Sequence, residues 1–212
     1  MKKPKPTEDK RSVVIEPPKF EMADITIAGT APYVQNKFSQ KARDQMKAKQ
    51  ESGSRSKKGT AREGKDFMAT YEAAKHVSRQ GWVGIPAPSF RNAMISACRI
   101  VGFKMTLAKL SVFVEADGYD ADDGTPLVKI VGEPRIHEGL VRNQTGVADV
   151  RWRPMWEEWT AVVRVRWDST QFSAQDVVNL LARAGAQVGI GEGRPDSKAS
   201  NGMGWGMFEV RA

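Results

Sequence analysis

Seven glycines crowd the stretch between positions 185 and 206, at 185, 189, 191, 193, 202, 204 and 206, within GAQVGIGEGRPDSKASNGMGWGMFEV. Glycine reaches backbone angles closed to other residues, and its missing side chain lets another molecule approach the main chain. An amphipathic pattern precedes the stretch and a strand-like GWGMFEV ends it. A backbone-lined groove that holds a phosphate-bearing strand would use such amides. An ordinary flexible loop is the competing reading.

The flanking segments read as alternating strands and helices. Phe20–Gly29 alternates Met22, Asp24, Thr26 and Ala28 with Ala23, Ile25 and Ile27, as a strand does. Phe67–Gln80 suits a short helix, and a few helical turns suit Ser39–Gln50. In GIPAPSFRNAMISACRIVG two prolines stop any earlier helix, and Ser89 is placed as an N-cap. Phe90, Met94, Ala97 and Val101 then mark one helical face closed by Gly102, with Cys98 at its border. Leu107–Ala116 reads as a strand with Leu110, Val112 and Val114 on one side, and Leu127–Val131 as another. Glu133–Trp159 is expected to hold a hairpin turning near Asn143–Gly146. In Trp159–Trp167, Ala161, Val163, Val165 and Trp167 face one way, and Val162, Arg164 and Arg166 the other. Ser173 with Asp176 forms a capping box, Val177, Leu180, Leu181 and Ala184 a buried stripe, and Gly185 the helix end. The order predicts an α+β domain over 20–212 with a ferredoxin-like, RNA-recognition-motif core. Two connections are enlarged: a long basic insertion at 30–66 and a hairpin insertion at 133–159. Residues 1–19 read as a flexible basic tail.

The formal charge of +8 is unevenly spread. Positions 37–65 carry ten basic residues, among them Lys37, Lys41, Arg43, Lys57 and Lys58, against Asp44, Glu51 and Glu63. The first 19 residues add six bases against three acids, which leaves the body almost neutral. A polyanion partner explains that distribution through phosphate neutralisation and counterion release. A pair of solvated arms is the competing, less favoured reading. No run of about 18 apolar residues suggests a membrane span, and MKKPKPTEDKR lacks the apolar region of a secretory signal. With the single Cys98, this points to a reducing, cytoplasmic setting. Two histidines, His76 and His137, exclude a histidine-rich metal centre, and no cofactor is expected. Asp117, Asp120, Asp122 and Asp123 fail the spacing of a calcium loop and read as an aspartate-rich turn.

Three stretches in this order resemble the RAMP superfamily, whose members include the guide-lining backbone subunit of CRISPR effector complexes. GIPAPSFRNAMISA, 84–97, is similar to the family's signature at the start of the first helix, with Ala87 and Asn92 where glycine is usual. VRNQTGVADVRWRPMWEEWTAVVRVRW, 141–167, resembles the segment bearing a threonine–glycine pair and a protruding thumb. VGIGEGRPDSKASNGMGWGMFEV resembles the glycine-rich loop before the last strand. The resemblance implies guide-RNA binding and side-by-side assembly of copies along the strand. Some members cut RNA with a loop aspartate, but no residue here aligns with it, so no catalytic residue is transferred. Free-standing relatives look like small phage nucleic-acid proteins.

The candidate interface follows. Arg142, Arg151, Trp152, Arg153 and Trp156 interleave charge and indole, so bases could stack while guanidinium groups hold phosphate. The same tryptophans could instead be core or interface anchors. Arg164 and Arg166 meet phosphates if their sheet face is open and free, and pair with acids otherwise. Ser89, Arg91 and Asn92 lie at a helix N-terminus, which attracts anions. In the glycine-rich loop, with Gly191 and Gly193 among its binding positions, Arg194, Ser197, Lys198 and Asn201 would supplement the backbone amides. The expected function is single-stranded nucleic-acid binding without catalysis, RNA ahead of DNA, by a homo-oligomer along the strand. Rival readings are a phage single-stranded DNA-binding or annealing factor, a metal-dependent endoribonuclease, and a subunit mimic that inhibits a CRISPR complex.

Overall fold

The computed structural model describes residues 16–38, 44, 64, 66–142, 148–197 and 202–211. Lys41, Arg43, Lys57, Lys58, Lys198, Asn201 and, apart from residue 44, the expected turns at 39–50 lie outside those residues, as does most of the N-terminal tail. The chain folds as a mixture of helices and antiparallel sheets. Strand β1, Phe20–Gly29, is central, between β9, Thr160–Asp168, and β10, Phe208–Val210. One half of the far edge of β9 pairs with β4, Val112–Val114, and the other half with β6, Pro126–Val131. Beyond β6 lie β3, Gly84–Pro86, and β5, Gly118–Tyr119.

The expected alternation in β9 is realised: Ala161, Val163, Val165 and Trp167 are buried. They meet Ile25 and Ile27 of β1, together with helix α2, Ala87–Ala97, and helix α4, Ala174–Arg183. Phe90 and Met94 of α2 and Val177 and Leu181 of α4 are fully enclosed there. Each such side chain contributes about 1.5–3 kcal/mol by leaving water. Cys98 is buried at the end of α2, and the Ser173–Asp176 capping box starts α4. Short helix α1, Phe67–Ala73, packs on β8 of a second sheet. That sheet runs β2, Tyr33–Val34, then β8, Ala148–Trp156, then β7, Arg135–Arg142. Strands β7 and β8 form the expected hairpin, its tip at 143–147 outside the described residues.

Three local expectations are corrected. Helix α2 starts at Ala87, with Pro86 as N-cap and no side-chain cap, so Ser89 is inside the first turn. Proline is accommodated there because first-turn amides have no helical partner to lose. Residues 105–111 form helix α3, not strand: Ala108 is buried while Leu110 is 74% exposed, breaking the expected alternation. Met, Leu, Ala and Lys favour helix, and extended structure begins only at β-branched Val112. Gly185 does not end its helix. A wider π-type turn continues over Ala184–Val188, and Gly185 packs so tightly on Phe208 that any Cβ would overlap its carbonyl oxygen. Among the described residues no helix is long and apolar enough to cross a membrane.

Candidate nucleic-acid interface

The glycine-rich stretch divides its labour. Val188 and Ile190 point into the core, and Ile190 N–H is tied to Gly206 O at 3.0 Å. Gly189, Gly191, Glu192, Arg194 and Asp196 form one wall of a cleft of about 350 Å³. Its other wall is the first half of α2, with Ser89 and Asn92, and Asn36 and His76 close one end. Gly191, at φ 74°, presses against the Tyr33 ring and the Val34 carbonyl, where any side chain would collide. Glu192 N–H donates to Val34 O at 3.0 Å, and the Arg194 guanidinium to Gly191 O at 2.8 Å, so the wall is pinned. At the far end Arg99 of the α2 side grips Asp196 through two 2.7 Å bonds. That guanidinium holds the Asp196 carboxyl below the usual carboxylate range.

Ser89, Asn92, Gly191 and Arg194, picked out from segments far apart in sequence, therefore share one cleft. The Ser89 hydroxyl, the Asn92 and Asn36 amides and the Gly191 and Arg194 backbone N–H groups bond to no other described residue. They are donors and acceptors free to be used by a ligand. Gly193 packs under Trp205, and Ser197 N–H turns back to Pro195 O.

Behind the cleft lies a charged cluster that sequence reasoning missed. Asp120 is fully buried and bonds Lys37 Nζ at 2.7 Å and His76 Nδ1 at 2.8 Å. Asp122 adds a second bond to Lys37 at 2.6 Å. Burial pushes the Asp120 carboxyl up, but Lys37, the Asp122 amide and His76 outweigh it and hold it below normal. For His76 burial dominates and Lys37 adds to it, so the imidazole stays below its ordinary value despite Asp120. The Lys37 ammonium loses solvation, yet its two carboxylates raise it overall. Gln35 completes the cluster, donating to Gly84 O at 2.8 Å and accepting from His76 N–H.

Several expected strand contacts are corrected by this geometry. Lys37 belongs to the buried cluster, its side chain 4% exposed, and cannot reach a strand. Trp156 is 1% exposed and packs on Tyr33, ring centroids 5.6 Å apart, which makes it a core anchor. Arg153 is buried and paired with Glu192, joining the hairpin to the glycine-rich wall. Arg91 has the packing role that its position did not suggest: it donates to Lys109 O and to Val112 O, capping the end of α3. Arg164 and Arg166 do lie on the open sheet face, but paired with Asp24 at 2.7 Å and Glu115 at 2.6 Å. Arg151 pairs with Asp149 at 2.9 Å. Trp152 stacks on Phe67 at 5.4 Å and donates to Glu138 at 2.9 Å. Arg142 closes β7.

Nothing local in the sequence marked His76, since its partner Asp120 is distant in the chain and sits in an apparent solvent turn. The aspartate turn itself is present: Asp120, Asp123 and Asp117 carboxylates accept backbone N–H groups of Asp122, Thr125 and Lys129. No protein-family model matches this chain, and no curated protein matches it.

Proposed function

We propose that this chain binds single-stranded nucleic acid, RNA ahead of DNA, as a non-catalytic protein whose copies line up along the strand. One observation carries the reading: a pinned glycine-rich wall and the first turns of α2 enclose a cleft in which Ser89, Asn92, Asn36 and the Gly191 and Arg194 amides bond to no described residue. Backbone amides and neutral side chains held in place suit a phosphate–sugar backbone, because they cost little reorganisation on binding. The strands β10-β1-β9-β4, connected through α2 and α4, support a ferredoxin-like, RNA-recognition-motif core. The β7–β8 hairpin supports the likeness to a RAMP thumb. The excess of positive charge over 37–65 supports a polyanion ligand, with Lys37 itself withdrawn from that role.

The test is fluorescence anisotropy of a labelled single-stranded oligonucleotide titrated with the full chain at several salt concentrations. Binding that weakens with salt, at about 0.7 log units per log salt for each phosphate engaged on a single strand, is the expected result. No binding to RNA or DNA at low salt would refute the reading.

A further inference from the structure

His76 is held in a way that the strand-binding reading does not use. Asp120 is fully buried and takes the Nδ1 side of the imidazole at 2.8 Å. Burial and the adjacent Lys37 ammonium both oppose a positive charge on the ring. A neutral imidazole carries one proton, and beside a carboxylate acceptor that proton belongs on Nδ1. Nε2 is then a bare acceptor. It bonds to no described residue, and His76 lines the cleft with only 13% of its side chain exposed.

The cleft is therefore chemically two-ended. Across its two walls the Gly191 and Arg194 amides and the Ser89 hydroxyl offer donors, the complement of a phosphate, while the Glu192 and Asp196 carboxylates that also line it are paired with Arg153 and Arg99. At the His76 end the free ring nitrogen offers only a lone pair, which repels phosphate and needs a donor. A nucleotide whose phosphate lies along the glycine-rich wall presents one donor whatever its base, if it is a ribonucleotide: the 2′-hydroxyl. Base N–H groups differ from one nucleotide to the next and would make the contact depend on sequence.

We propose that His76 Nε2 accepts a hydrogen bond from a ribose 2′-hydroxyl, with Asp120 as the positioning residue that fixes its tautomer, so that this cleft selects RNA over DNA. The proposal rests on the strand-binding reading above, and the two fail differently. A chain that binds neither polymer sinks that reading, whereas one that binds both equally sinks only the present proposal.

The experiment uses the unmodified full chain and three oligonucleotides of one sequence: RNA, DNA, and RNA carrying 2′-fluorine at every sugar. Fluorine keeps the RNA-like sugar pucker but removes the donor, which separates the hydrogen bond from backbone shape. RNA is expected to bind about three- to tenfold tighter than the fluorinated strand and the DNA, the scale of one net hydrogen bond. In His76→Phe, checked for an intact fold by circular dichroism, the three affinities converge. The fluorinated strand binding as tightly as RNA would overturn the proposal, and so would a preference that changes with base composition rather than with the sugar. Because the first comparison needs no variant, a misfolded His76→Phe leaves it decisive.

Discussion

The open face of the main sheet and the cleft beside α2 are both polar, but in opposite ways. On the sheet face Arg164 answers Asp24 and Arg166 answers Glu115, with the Arg166 guanidinium 4.6 Å from the centres of both the Phe20 and Phe113 rings. Every one of those charges already has a partner. In the cleft the polar groups are mostly uncharged, and Asn36, Asn92, Ser89 and His76 Nε2 bond to no described residue. A recognition surface is marked by bonding capacity left over after folding, and counting charges in a sequence does not measure that remainder.

The largest expected effect breaks the comparison from behind. Lys37→Met leaves the buried Asp120 carboxylate without its ammonium partner and should cost about 3–5 kcal/mol of stability, measured by urea denaturation. A surface-like cost below about 1 kcal/mol would show that the cluster is not the foundation of the cleft. Asn92→Asp comes next. Residue 92 is exposed, so folding should hold, but a carboxylate set against phosphate should weaken oligonucleotide binding about tenfold, roughly 1.4 kcal/mol. Unchanged affinity would take α2 out of the interface.

A smaller effect concerns pH. His76 and His137 both have folded values below the ordinary 6.5, so the unfolded chain binds more protons in that range. Their contribution to stability is full above pH 6.5 and is lost as pH falls through the lower folded values. For His76 the facing groups are Asp120, Lys37 and Asp123; for His137 they are Arg135 and Arg153. Melting temperature should decline from pH 7.5 to 5.5, and less steeply in a His76→Phe, His137→Phe double variant. An identical slope in the double variant would contradict the assignment. The smallest effect belongs to the sheet face: Arg164→Ala with Arg166→Ala should leave oligonucleotide affinity nearly unchanged, since both guanidinium groups are already engaged.

The strand and helix pattern was legible wherever one face alternates cleanly, as in β1, β9 and α4. Their burial follows the apolar spacing, except at the end of β1, where Ala28 is buried beside Ile27. The pattern misled at 107–116, where the alternation of Leu110, Val112 and Val114 straddles a helix end and a short strand. At the cleft, the glycines and the start of α2 were visible because both have local signatures. Arg91, Arg153 and Lys37 were misread because a basic side chain looks the same whether solvated or buried against a distant carboxylate. His76 was invisible for the converse reason: its chemistry comes from Asp120, and only folding brings them within 2.8 Å.

Hydrogen–deuterium exchange of the full chain, with and without a single-stranded RNA oligonucleotide, tests the contrast between the two regions most directly. Slowed exchange at Gly189–Arg194 and in the first turns of α2, with β1 and β9 unchanged, is the predicted result. Protection confined to β1, β9 and β4, with the glycine-rich wall exchanging as before, would contradict it.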